Sequence, residues 1–126
     1  MTLLETTETA KFVKVWRNLP VKAEVLNVHG HAMQGSHWPD VYIVHPVYRG
    51  WIEFKGPNTA IRPGQKALAK KLHVKGDVVY FVRFLEIRKL DVMDWATHYI
   101  CRIEYDAVAL LNCLGMHPHG LGESEI

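Results

Sequence analysis

Five consecutive apolar residues, Val78-Val79-Tyr80-Phe81-Val82, constrain the fold more than any other segment. A strand with one face in water alternates apolar and polar side chains, whereas a run without a polar member is buried on both faces. This strand is therefore expected at the centre of a sheet that is covered on both sides. With 126 residues one domain is expected, and a 48% hydrophobic share is enough to build its core. The charged share, 22%, is ordinary for a folded domain and argues against disorder.

The remaining elements are read from periodicity and breakers. Leu4, Phe12, Val13, Val15, Trp16 and Leu19 recur at helical spacing, Thr2 with Glu5 has the form of a capping box, and Pro20 ends the helix, predicting it over residues 3–18. Strands are predicted over 21–28, 40–45 and 51–55, the last two joined as a hairpin around Pro46, Arg49 and Gly50. Gly56-Pro57-Asn58 breaks the third strand, residues 59–63 form a loop, and a helix runs from Gly64 to His73 with Gly76-Asp77 as its exit turn. Beyond Arg83 a strand near 97–103 and a short helix near 104–113 are expected, followed by a poorly ordered tail over 115–126. The order α-β-β-β-α-β describes an α/β domain over residues 1–114, a mixed β-sheet flanked by helices.

No apolar run reaches the ~20 residues of a membrane helix, and the N-terminus lacks a basic region before its apolar stretch, which disfavours membrane spanning and secretion. Cys101 and Cys113 are too few for a disulfide framework or a four-cysteine zinc site, and are expected to be buried thiols in a reducing, cytoplasmic setting. His29, His31 and His37 lie close in sequence, but no further Cys or His has zinc-ligand spacing. Trp38 and Trp51 are read as packing residues rather than base-stacking platforms.

Chemistry concentrates where Pro39-Asp40 precedes Glu53-Phe54-Lys55. Positions i and i+2 of a strand share a face, so Glu53 and Lys55 point the same way. Pairing His45 with Gly50 across a four-residue loop would set Asp40 opposite Lys55 on that face, whereas a one-residue slip would move Asp40 to the other. Two carboxylates, with the Phe54 backbone carbonyl between Glu53 and Lys55, form an oxygen set suited to Mg²⁺, with Mn²⁺ as the natural substitute. Such an ion polarises a phosphodiester and lowers the pKa of a bound water, and an adjacent lysine stabilises the developing charge.

Charge is uneven along the chain. Residues 1–48 carry four basic and four acidic side chains, 49–89 ten and three, and 90–126 one and six, or 0, +7 and −5. The middle segment is thus a candidate polyanion surface. Lys66, Lys70 and Lys71 on the second helix are the candidate phosphate contacts, with Arg62 and Arg83 nearer the carboxylates. A solvated helix face accounts for the three lysines equally well.

Asp40 opening an apolar strand, Trp51-Ile52-Glu53-Phe54-Lys55, Arg62-Pro63-Gly64-Gln65 at a helix start, and Gly76 before the apolar strand ending at Arg83 together resemble the PD-(D/E)xK nuclease superfamily. More closely, they resemble the stand-alone VRR-NUC domains of bacteriophages and bacteria, which are similar to Holliday junction resolvases. The likeness spans roughly residues 5–84 and implies a restriction-endonuclease-like core. It implies metal ligation by Asp40, Glu53 and the Phe54 carbonyl, with Lys55 catalytic and Gln65 positioning Lys55 or the nucleophilic water. A helical glutamate would join the metal shell; Glu8 is preferred, because the apolar run follows it at the usual offset, with Glu5 still open. The resemblance further implies an endonuclease acting on branched DNA as a homodimer, in a bacterial cell or phage-infected host. Flap or duplex DNA as substrate, or a non-catalytic DNA-binding module of the same fold, are the alternatives.

Overall fold

The computed structural model describes residues 3–28 and 37–116. Its elements are α1 (Leu3–Arg17), β1 (Glu24–Asn27), β2 (Val41–Val44), β3 (Arg49–Lys55), α2 (Pro63–Val74), β4 (Val79–Phe84), β5 (Lys89–Asp94), β6 (Ile100–Glu104) and α3 (Ala107–Met116). The six strands form one sheet in sequential order, so β3 and β4 are its middle pair. All neighbours are antiparallel except β3 and β4, which run parallel with α2 as their connection. The chain is thus an α/β domain with a mixed sheet flanked by helices, and the apolar run at 78–82 forms its centre as expected.

The two sheet faces bury unequal cores. On one, α1 and α3 pack over Val41, Ile43, Ile52, Phe54, Tyr80, Val82 and Phe84. Phe12 is the hub, meeting Trp16, Phe54, Phe84 and Tyr105 edge-on at centroid distances of 5.4–6.1 Å. Trp16 Nε1 donates to Ala107 O at 2.8 Å, fastening α1 to the start of α3. On the other face α2 buries Ala69 and Leu72 against Val79 and Phe81, with Trp38, Trp51 and Trp95 packed around them. Trp38 and Trp51 are packing residues, 5.4 Å apart between centroids. The exit from α2 is a Schellman turn: Gly76 N donates to His73 O and Asp77 N to Leu72 O, with Gly76 at φ +98° where a side chain would be strained.

Several boundaries differ from expectation. β1 keeps only four residues of the predicted 21–28, because an edge strand with exposed Glu24, Leu26 and Asn27 has little burial to extend it. β5 was not anticipated: its inward row Leu90, Val92, Asp94 carries a carboxylate where an apolar residue would mark a strand. α3 starts three residues later than the predicted 104, because Asp106 caps it through Ala109 N at 2.9 Å. It reaches Met116, two residues into the expected tail; residues 117–126, His117 and His119 among them, lie outside the described residues, as do Thr2, His29 and His31. Cys113 is buried but Cys101 only half-buried.

The β2–β3 hairpin is tighter than expected. His45 and Tyr48 exchange backbone hydrogen bonds of 3.0 and 3.1 Å across Pro46-Val47, and the His45 ring accepts from Val47 N at 3.0 Å. Tyr42 therefore pairs with Trp51 rather than with Glu53. The offset is two residues, so every side chain keeps its expected face.

Candidate active site

Alternation along β3 divides its side chains. Ile52 and Phe54 enter the α1/α3 core, while Trp51, Glu53 and Lys55 face α2. One step beyond the Val41–Ile52 pair, Asp40 stands opposite Glu53 instead of Lys55. The carboxylates and the lysine are still on one face. Asp40, Glu53, Lys55 and Gln65 are only 2%, 4%, 3% and 5% exposed. Charged side chains this deep are rare unless they answer one another.

Glu53 and Lys55 do so through Gln65. Its Oε1 accepts from Lys55 Nζ at 2.8 Å and from Arg62 N at 3.0 Å, and its Nε2 donates to Glu53 Oε2 at 2.9 Å. Lys55 Nζ is also 3.4 Å from Glu53 Oε2. The chemistry fixes the amide orientation, since two donors require the oxygen and a carboxylate requires the nitrogen. Gln65 is at the third position of α2, so the same amide closes the helix start and ties it to β3.

Asp40 Oδ2 accepts from Phe54 N at 2.7 Å. In extended backbone the N–H and C=O of one residue point to the same side, so the Phe54 carbonyl is turned toward Asp40 as well. Asp40, the Phe54 carbonyl and Glu53 thus offer hard oxygen donors at the mouth of one strand pair. Among the described residues no three His, Cys, Asp or Glu side chains gather as a metal cage. Two carboxylates, a carbonyl and waters remain a shell that Mg²⁺ accepts and zinc does not favour. On that donor chemistry the residues fit Mg²⁺ or Mn²⁺.

The helical glutamates have different surroundings. Glu5 is 1% exposed, accepts from Thr59 Oγ1 at 2.6 Å and lies against Gly56, the residue after Lys55. Glu8, preferred from the sequence, pairs with Lys11 at 3.1 Å, and among the described residues its buried Oε1 has no hydrogen-bond partner. Glu5 is thus the one placed beside the end of β3, while Glu8 holds the unanswered oxygen.

The basic residues divide by use. Arg62, Lys66, Lys70 and Lys71 are exposed on or beside α2. At 100° per residue, Lys66 and Lys70 share a flank with His73 and Lys71 lies on the opposite one. Arg83 is turned inward: its Nη1 donates to Gly56 O at 2.7 Å and Thr59 O at 2.6 Å, pinning the loop that leaves β3. Arg88 sits over the Tyr105 ring at 4.0 Å, and Lys89 pairs with Glu104. The exposed positive charge of the middle segment is therefore mainly that of α2. His37 packs against Gly64 at the start of this helix; neither this contact nor the Arg83–loop clamp is marked by any sequence spacing. Comparison with known proteins finds no family model, no curated protein and no solved structure that matches the chain.

Proposed function

We propose that this chain is a Mg²⁺-dependent DNA endonuclease with a restriction-endonuclease-like core of the VRR-NUC kind, acting on branched DNA such as a Holliday junction. The observation that carries the reading is the burial of Glu53, Lys55 and Gln65 as one hydrogen-bonded unit beside Asp40. Apolar residues of similar volume would stabilise such a position equally well or better, so a buried ionic cluster points to use rather than to stability.

Mg²⁺ held by Asp40, Glu53 and the Phe54 carbonyl, with Glu8 or Glu5 reaching it directly or through water, would polarise the phosphodiester and acidify a water. Lys55, held by Gln65 and Glu53, would present its ammonium where negative charge develops on the phosphoryl oxygens. Gln65 is a positioning residue, keeping carboxylate and ammonium in register. Arg62, Lys66 and Lys70, on one flank of α2, would hold flanking phosphates, with a smaller contribution from Lys71 on the other flank. A homodimer would place two such sites on the arms of a branch. A bacterial or phage-infected cytoplasm is the setting that goes with this reading.

A non-catalytic DNA-binding module is the second reading, favoured by the fact that Asp40 Oδ2 is already engaged by Phe54 N. Cleavage of a labelled four-way junction, a 5′-flap and plain duplex with Mg²⁺ separates the two, run beside Asp40→Asn and Glu53→Gln. Asparagine keeps an acceptor for Phe54 N, so the fold is retained. Junction cuts lost in both variants, with DNA binding intact, are expected. Cutting of flap or duplex alone would move the activity toward repair or restriction, and junction binding without any cutting would establish the binding module.

A further inference from the structure

Lys55 belongs to two features at once. Besides the buried cluster, it lines a pocket of about 130 Å³ whose apolar walls are Ile61, Phe81, Met93 and Ile100. The pocket follows from the topology: α2 packs on β4, and the same sheet face continues over β5 and β6, where Ile100 is 58% exposed. Its floor is rigid ladder, with Phe81 paired to Met93 and Met93 to Ile100. The other two lining side chains are already fastened. Asp91 accepts two hydrogen bonds from Arg102 at 2.8 and 3.0 Å, and Arg83 holds two loop carbonyls. What the pocket offers a ligand is therefore apolar surface, with Lys55, held by Gln65 and Glu53, at its inner end.

Sites for whole small molecules occupy roughly 300–1,000 Å³. A smaller one suits a part of a larger ligand, and the part of a nucleotide that presents an apolar ring face near its phosphate is the base. We propose that this pocket takes the base of a nucleotide flanking the phosphate at Lys55, and so requires that nucleotide to be unpaired. The inference rests on the nuclease reading of the Lys55 site and names the selectivity of that same site. A base within intact duplex is stacked and paired, and withdrawing it is costly; the cost is least at a flap or gap, where the base is already unpaired, and it is lowered at a branch point, where stacking is interrupted. Preference for DNA structure over DNA sequence follows, because apolar walls make no pattern of hydrogen bonds to a base edge.

The test uses the full chain and three duplexes that differ at one position: a bulged 2-aminopurine, a bulged abasic nucleotide, and full pairing. Wild-type protein with Mg²⁺ is expected to cut the 2-aminopurine bulge about tenfold faster than either other DNA. Ile100→Glu puts a charge in the pocket from an exposed edge position and should abolish the difference between base and abasic nucleotide; Ile100→Ala, checked by thermal melting, guards against misfolding. In EDTA, the Asp40→Asn protein should change the 2-aminopurine emission, and Asp40→Asn with Ile100→Glu should not. Equal cutting of base and abasic DNA, or a preference that survives both Ile100 variants, overturns the pocket while leaving the nuclease. If no DNA is cut, hydrolysis fails, and the emission decides the pocket: an Ile100-dependent change sustains it and no change overturns it.

Discussion

Gln65 spends both ends of one amide on two charged neighbours and a helix start, and this makes the candidate site testable by stability as well as activity. Lys55→Met removes the ammonium that faces the buried Glu53 carboxylate, which is expected to cost about 3–5 kcal/mol. Pairing it with Glu53→Leu removes the second charge and should restore most of that loss in urea unfolding, while cleavage stays absent in both proteins. A double variant as unstable as the single one would make the cluster a structural requirement of the fold and remove its argument for function. Gln65→Leu should lower stability by about 1–3 kcal/mol through the three hydrogen bonds it removes, and should lower kcat more than it raises KM, because it loosens Lys55 rather than DNA. Glu53 and Lys55 were legible in the sequence because period two puts them on one face, and Asp40 joined them on the expected hairpin parity; Gln65 was marked only by the resemblance of Arg62-Pro63-Gly64-Gln65 to a family motif. The Thr59–Glu5 bond was not, since it joins residues 54 apart and depends on how α1 crosses the end of β3.

At the level of elements, parity was more legible than register. The apolar alternation of β2 and β3 settles which face each residue takes, but the loop length decides which residues are opposite. His45 shortens that loop by accepting from Val47 N, a local hydrogen bond that hydropathy does not record. β5 escaped for a related reason: Asp94 lies on its buried row, where it accepts from Ala96 N at 2.9 Å to hold the turn into β6. α2 exceeds its expected bounds by one residue at each end, and its lysines face solvent. Because Lys66 and Lys70 share a flank that Lys71 does not, replacing the first two with Gln should reduce the slope of log binding constant against log salt by about 1.8 for duplex arms. Lys71→Gln should change it by less than half as much. Anisotropy titrations across salt concentrations measure both, and identical slopes for all three proteins would take α2 off the DNA surface.

The whole molecule has an alkaline limit set away from the candidate site. Burial raises the Tyr48 and Tyr80 hydroxyls above their ordinary 10.0, with Asp94 raising both further. Burial also pushes the Cys113 thiol from 9.0 up to about 12, with Cys101 adding to the shift. All three sit in the α1/α3 core, so their protonated forms are part of what holds that layer on the sheet. A raised folded-state pKa means that above the unfolded value the native chain retains a proton the unfolded chain has lost. The stabilisation is complete below about pH 9 and declines as pH rises toward the folded values, with a slope of up to about 1.4 kcal/mol per pH unit for each group. Urea midpoints measured from about pH 8 to 11 should therefore be level at first and then fall. Tyr80→Phe, which removes one such proton and keeps the ring against Tyr48, should make the fall shallower. A level profile throughout would mean that these groups ionise within the folded core. A falling one sets the upper pH for cleavage assays, since above it lost activity reports the loosening of α1 and α3 rather than the chemistry of the candidate site.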